Sequence, residues 1–210
     1  MVIGIGLIQF LKINNNFTKQ DNWDSPEHLT VKNCSFDSFA TICYDLYMDY
    51  EVIDNFLTTE QHKELYDWLL TSRNFPWFYN PTIGGTDAEK ETEYQFTHIF
   101  YLNGEITSTF FPLVEPILEK LNVLTTLRIK ANLSPRTIKN IESGYHVDTF
   151  EKSKTIVYYV NSNNGYTKFE NGDKVESIEN RLLIFDSSMS HTGASCTDEK
   201  VRSVINFNII

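Results

Sequence analysis

The chain has 210 residues, 41% of them hydrophobic and 14% aromatic, enough for one ordinary core and too apolar for a disordered chain. A formal net charge of −10 disfavours a general nucleic-acid binder, which is usually basic. Three widely spaced cysteines, Cys34, Cys43 and Cys196, make neither a disulfide framework nor a zinc site, and they fit a reducing compartment.

Residues 1–11 are apolar but lack a basic flank and a small-residue cleavage site, and they are too short to span a bilayer. The expectation is a soluble cytoplasmic protein with no membrane partner. Residues 12–33, with Asn14-Asn15-Asn16 and scattered Lys, Asp, Ser and Pro, read as a polar connector. Residues 1–46 are therefore assigned to an N-terminal extension of unknown function, and residues 47–210 to the domain proper.

The domain opens with a strand over residues 50–57 that leads into a helix. Thr58-x-x-Gln61 is a capping signal, and Leu65, Trp68 and Leu69 follow at helical spacing. Trp77, Phe78 and Tyr79, with the Gly-containing stretch up to Asp87, read as core aromatics or as a substrate lid. A second helical stretch falls within residues 105–122, where Pro112 and Pro116 predict a break or a late start. Residues 120–141 hold five basic residues (Lys120, Arg128, Lys130, Arg136, Lys139) and no acidic one, a solvated edge or a binding surface.

Beyond Leu124 the pattern is one of short strands. Residues 125–133 alternate apolar and polar, and residues 154–160 are β-branched and aromatic. Asn163-Asn164-Gly165 and Asn171-Gly172-Asp173 are hairpin signals between and beside strands at 174–178, 181–185 and 201–209. Short strands preceded by helices predict a mainly β fold with flanking helices, built on a two-sheet jelly roll.

The chemistry concentrates in the last third. His146-x-Asp148 is answered by His191, and Arg202 follows eleven positions later. With 28 acidic residues and five histidines, roughly 0.7 His-x-acid pairs are expected by chance, and His62-Lys63-Glu64 is a second one. On a helix, positions i and i+2 point about 200° apart, so His62 and Glu64 cannot share an ion and read as a solvated face. Between two strands, by contrast, the side chains of His146 and Asp148 leave the same side of the chain. Two histidines and one carboxylate with open positions form the donor set of non-heme Fe(II) oxygenases. A downstream arginine offers a planar fork to the far carboxylate of a dicarboxylate co-substrate.

Taken jointly, His146-x-Asp148, Ile156-Val157-Tyr158-Tyr159-Val160-Asn161, Gly165-x-x-x-Phe169, the strand from Asn180 to Asp186, His191 and Arg202-x-x-x-Asn206-Phe207 resemble the 2-oxoglutarate/Fe(II)-dependent oxygenases. The similarity is to the prolyl 4-hydroxylase-like branch, including copies carried by marine bacteriophages. It covers residues 47–210 and does not reach the first 46. The resemblance implies a double-stranded β-helix core in which His146, Asp148 and His191 ligate Fe(II). It further implies that Arg202 binds the distal carboxylate of 2-oxoglutarate, and that Tyr159 either joins it there or serves as a core aromatic. By strand alternation Asn206 projects on the same side as Arg202, to reach the co-substrate or a ligand or to make a structural hydrogen bond. Relatives often carry a tyrosine in the strand before the His-x-Asp motif; here Asn132 or Ser134 takes that place. O2 is then the second co-substrate, ascorbate an accessory reductant, and succinate and CO2 the products.

Substrate identity is not written in the motif. A prolyl or other residue of a protein or peptide is ranked ahead of a nucleobase or small metabolite, because a phosphate backbone would meet an acidic chain. A non-catalytic jelly-roll binding module is the reading from another class. The oligomeric state is left open.

Overall fold

A computed structural model describes residues 50–83, 94–148 and 152–210. The expected N-terminal extension lies outside these residues. Among the described residues, eleven strands and two short α-helices follow in chain order: β1 (Tyr50–Ile53), α1 (Thr59–Tyr66), β2 (Phe78–Asn80), β3 (Gln95–Leu102), β4 (Glu105–Ile106), α2 (Glu115–Lys120), β5 (Thr126–Pro135), β6 (Lys154–Tyr159), β7 (Tyr166–Phe169), β8 (Lys174–Glu176), β9 (Arg181–Asp186), β10 (His191–Gly193) and β11 (Val201–Ile209). The large sheet has the order β1-β9-β6-β11-β5-β3-β2, with β4 on β3, and the small sheet has the order β10-β7-β8. This is a double-stranded β-helix, the expected jelly roll.

Strand alternation builds two cores from one sheet. In β6, Ile156 and Tyr158 point to the helical side, where they meet Leu65 of α1, Phe100, Ile129, Ile205 and Phe207. Val157 and Tyr159 point the other way, with Leu183, Phe185 and Val204, against Phe169 and Val175 of the small sheet. A strand buried on both faces reads as a continuous apolar run, which is why residues 154–160 carry no clean alternation. Each such side chain contributes about 1.5–3 kcal/mol relative to exposure. The second face of β5 and β11 carries polar residues instead, and there the space between the sheets opens into a cavity.

Thr58 caps α1 as predicted: its hydroxyl accepts from the Gln61 amide, and the Gln61 side chain accepts from the Thr58 amide. The α-helix ends at Tyr66 and continues as a single π turn, Asp67–Thr71, which buries Leu69. The second helix does start late. Phe111–Leu113 forms a 3-10 turn and α2 begins only at Glu115, with a proline in the first turn of each, where a missing N–H costs nothing. The first residues of the expected helical stretch are instead β4. Asn103 and Gly104, with φ of 52° and 92°, make a two-residue hairpin turn from β3, which overrides helical spacing downstream.

Two further expectations are corrected. Asn171-Gly172 does turn β7 into β8, with Gly172 at φ 97°. Asn163-Asn164-Gly165 does not close a hairpin, because β6 and β7 belong to different sheets. There Asn163 Oδ1 accepts from the Gly165 amide at 2.9 Å, and the chain crosses between layers. The second correction is His62. It is half-buried, and its Nδ1 lies 2.7 Å from the Tyr158 hydroxyl, so it joins helix to sheet where a solvated face was expected.

Candidate metal centre

His146 enters the site from the connection after β5, and His191 opens β10. They sit opposite each other as an isolated antiparallel bridge. The amide of His146 donates to the carbonyl of His191 at 3.0 Å, and the amide of His191 donates back at 2.9 Å. Their rings lie 4.6 Å apart between centroids. Asp148 follows, its amide donating to the Ser187 carbonyl at 3.1 Å. One ligand-type atom each of His146, Asp148 and His191 lies within 4.8 Å of the others.

The rings are held in a defined tautomer. His146 Nδ1 is 3.2 Å from the Gly144 carbonyl, and His191 Nδ1 is 3.0 Å from the Met189 carbonyl. A carbonyl only accepts, so both Nδ1 atoms carry hydrogen and both Nε2 lone pairs are free in the neutral rings. Burial, reinforced by the neighbouring His146, holds His191 below its ordinary pKa and therefore neutral near pH 7, against smaller opposing effects of the Met189 carbonyl and Asp148.

Asp148 is oriented in the same way. Its Oδ2 accepts from the Thr155 hydroxyl at 2.8 Å and from Asn208 Nδ2 at 3.0 Å. Oδ1 faces the site, 4.0 Å from His146 Nε2 and 3.6 Å from Arg128 Nη2. Burial pushes this carboxyl up, but the Thr155 and Asn208 hydrogen bonds, the Arg128 charge and, in acid, a protonated His191 outweigh it, and the net shift is downward.

The three side chains line one cavity of about 340 Å³, together with Arg202, Asn132 and Asn206. Arg202 is only 7% exposed. Its Nε donates to Ser177 Oγ at 2.9 Å and its Nη2 to Thr167 Oγ1 at 3.4 Å. No carboxylate among the described residues pairs with it. Burial lowers its pKa, yet a guanidinium keeps its proton in proteins. Room for it is made by Gly165, where a Cβ would stand 2.6 Å from Arg202 Cδ and 2.8 Å from the Ala194 carbonyl oxygen. Asn132 and Asn206 each keep a buried amide oxygen without a partner.

Tyr159 stands one layer behind. It does not line the cavity; its fully buried hydroxyl donates to Thr167 Oγ1 at 2.8 Å, and its ring lies 5.8 Å from Arg202 Cζ. Ser134, the alternative to Asn132, lines the cavity as well. The basic stretch 120–141 divides. Arg128 and Lys130 face the cavity, Lys120 binds the Phe56 carbonyl, and Arg136 and Lys139 are exposed. Of the aromatic run, Trp77 packs on the core and donates to the Leu69 carbonyl, while Phe78 and Tyr79 are exposed on edge strand β2. Residues 84–87 of the expected lid lie outside the described residues. Sequence reasoning missed Thr155, Thr167, Ser177 and Asn208. Only Asn208 had a signal, since it continues the alternation Arg202, Val204, Asn206 along β11.

No protein-family model matches the sequence, and no curated protein matches it. Solved structures do match in fold. A prolyl hydroxylase from Trichoplax adhaerens, in complex with a peptide fragment of the hypoxia inducible factor oxygen degradation domain, is 13% identical with a TM-score of 0.52, over 82% of this chain and 88% of that one. A 2OG-Fe(II) oxygenase family oxidoreductase from Burkholderia pseudomallei is 9% identical with a TM-score of 0.53, over 85% and 92%. A non-heme alpha ketoglutarate dependent epimerase of nogalamycin biosynthesis is 11% identical with a TM-score of 0.53, over 77% of each chain. The chain thus has the double-stranded β-helix fold that these proteins share, with a two-histidine, one-carboxylate cluster in its cavity.

Proposed function

We propose that this protein is an Fe(II)- and 2-oxoglutarate-dependent dioxygenase that hydroxylates a C–H bond, releasing succinate and CO2. One observation carries the reading: a buried arginine without a carboxylate partner among the described residues shares a single cavity with His146, Asp148 and His191. A buried cation demands an anion, and a facial two-histidine, one-carboxylate set leaves positions for a bidentate ligand.

The residues fit the ion and its co-substrate. His146 and His191 would hold Fe(II) through Nε2, since carbonyls occupy both Nδ1 atoms, and Asp148 would hold it through Oδ1, since Oδ2 already takes two hydrogen bonds. Bound Fe(II) with 2-oxoglutarate and O2 supplies the oxidising power for C–H hydroxylation. The protein contributes position. Arg202 would pair with the distal carboxylate, Thr167 and Ser177 fix its fork, and Tyr159 acts through Thr167 as a positioning residue. Asn132 and Asn206 present the remaining polar groups of the wall.

The favoured substrate is a residue of a protein or peptide. Exposed Phe78 and Tyr79 suit an extended chain or a proline ring, and the Trichoplax neighbour holds a peptide. A second reading, the same chemistry on a nucleobase or small metabolite, is favoured by Arg128 and Lys130 on the cavity wall. The test is anaerobic loading with Fe(II) and 2-oxoglutarate, then O2 in the presence of peptide and nucleotide pools, with succinate measured. Succinate rising above the uncoupled background with peptides supports the proposal. No succinate under any condition contradicts it and returns the chain to a binding module.

A further inference from the structure

The cavity holds more positive charge than the proposed metal and co-substrate use. Its described lining contains Arg128, Lys130 and Arg202 against one carboxylate, Asp148, with His191 neutral. That is an excess of two positive charges on a chain whose net charge is −10. Fe(II) and the 2-oxoglutarate dianion cancel each other, so loading the site leaves the excess in place.

The three cations are not equivalent. Arg202 is buried against Ser177 and Thr167 at one end of β11, where it pairs in register with Ser134. Arg128 lies opposite Asn208, donates to its Oδ1 at 3.0 Å and approaches Asp148, so it belongs to the support of the carboxylate ligand. Lys130 lies between these ends, opposite Asn206, and faces the cavity. No hydrogen-bond or ion-pair partner for its ammonium appears among the described residues; it feels Asp148 and Arg128 only at longer range. Alternation places Lys130 about 6.6 Å along β5 from Arg128 and about 13 Å from Ser134, hence at the metal end and away from the arginine end.

We propose that Lys130 is the substrate-recognition residue of this site and that the substrate presents a carboxylate to it, as an acidic side chain beside the hydroxylated residue of a peptide. The inference rests on the oxygenase reading for its location, not for its test. A desolvated ammonium is costly when unpaired, which makes an entering carboxylate favourable and a neutral isostere unfavourable. Burial already holds Lys130 below the ordinary lysine range, as expected of a cation lacking its anion. The field of a basic cavity on a chain of net charge −10 also draws anions to this place.

The experiment compares two pools of capped random hexapeptides, one carrying a single Asp or Glu and the other a single Asn or Gln. Retention is measured on wild type, Lys130→Met and Lys130→Arg, each with and without Mn(II) and 2-oxoglutarate. N-acetylaspartate and a single-stranded oligonucleotide serve as competitors. Wild type is expected to retain the acidic pool about tenfold or more over the amide pool, the range of one charged hydrogen bond. Lys130→Met should bring the two pools within about twofold, and Lys130→Arg should restore the preference, while affinity for 2-oxoglutarate changes by less than about threefold. Competition by N-acetylaspartate alone at peptide-like affinity would move the carboxylate's source to a small acid. Equal retention of both pools by wild type, or an acidic preference that survives Lys130→Met, overturns the proposal. So does loss of 2-oxoglutarate binding in Lys130→Met, which assigns the ammonium to the co-substrate, or displacement of the acidic pool by the oligonucleotide. Failure of wild type to bind Mn(II) and 2-oxoglutarate overturns the oxygenase reading, and the arm without them still decides the role of Lys130.

Discussion

His146 and His191 are 45 residues apart in sequence, yet they exchange both backbone hydrogen bonds, at 3.0 and 2.9 Å, as if they were partners in a hairpin. This bridge sets both rings on one side of the chain, and each Nδ1 is then tied to the carbonyl two residues earlier, Gly144 or Met189. The two Nε2 atoms are thereby aimed into the cavity without any ion. Preorganisation of this kind is what the proposed metal site of three ligands requires.

Removing one of them should be decisive. His191→Ala is expected to weaken Mn(II) or Fe(II) binding by at least about 100-fold, since even residues that only orient ligands cost 10–100-fold. Calorimetric titration of metal into wild type and variant reads this directly. Equal affinities would show that the cluster is not the metal site.

Thr155→Val and Asn208→Leu test the layer behind Asp148. Each removes one donor to Oδ2 and leaves Oδ1, the atom proposed to hold the metal, in place. Metal affinity should fall by about 10–100-fold in each, with the fold retained. Unchanged affinity in both would mean that Asp148 needs no orientation.

Gly165→Ala addresses the room given to Arg202. A Cβ there stands 2.6 Å from Arg202 Cδ and 2.8 Å from a backbone oxygen, so the guanidinium or the chain must shift. The expected result is a loss of about 1–3 kcal/mol in stability and weaker 2-oxoglutarate binding, with metal affinity close to wild type. Chemical denaturation and the two titrations separate these effects. A variant with wild-type stability and co-substrate affinity would remove the steric argument.

Acid should destabilise the metal-free protein in two stages. Burial holds His62, His98 and His191 below 6.5, so the unfolded chain takes up their protons more readily than the folded one. Stability from these groups is present above pH 6.5 and falls as pH drops toward their folded values. Asp148, held below 3.8 by the Thr155 and Asn208 hydrogen bonds and nearby cations against the pull of burial, adds stability that is present above 3.8 and disappears as pH falls through its lower folded value. Urea midpoints measured from about pH 7.5 down to about pH 3 should decline in both intervals. A midpoint that is flat or rises between about pH 7 and 5.5 would contradict the first stage.

The parts of this molecule that follow from local rules were legible in its sequence. The Thr58 capping box, the late helix with Pro116 in its first turn, the strand Val201–Ile209 and the turn at Gly172 each depend on a few neighbouring residues. The ligand-type residues were legible because His146, Asp148, His191 and Arg202 hold together only as a set. What stayed hidden depends on which sheet a strand joins. Asn163-Asn164-Gly165 has hairpin chemistry, but β6 and β7 part company there, and the glycine serves Arg202 instead. His62 looks solvated on a helical wheel and is covered only because Tyr158 comes from a distant strand. Thr155, Thr167 and Ser177 are ordinary polar residues until the fold places them beside Asp148 and Arg202. Lys130 read as part of a surface cluster because alternation shows which residues share a face, not which face lines a cavity.

The proposed function requires one cavity to bind a metal through His146, Asp148 and His191 and 2-oxoglutarate through that metal and Arg202 together. The most direct measurement is calorimetric titration of 2-oxoglutarate into wild type and Arg202→Leu, each with and without Mn(II). Binding should require Mn(II) in wild type and weaken by about 1.5–3 kcal/mol or more in Arg202→Leu, whose Mn(II) affinity stays near wild type. Equally tight 2-oxoglutarate binding without metal, or in the absence of the arginine, would contradict the account.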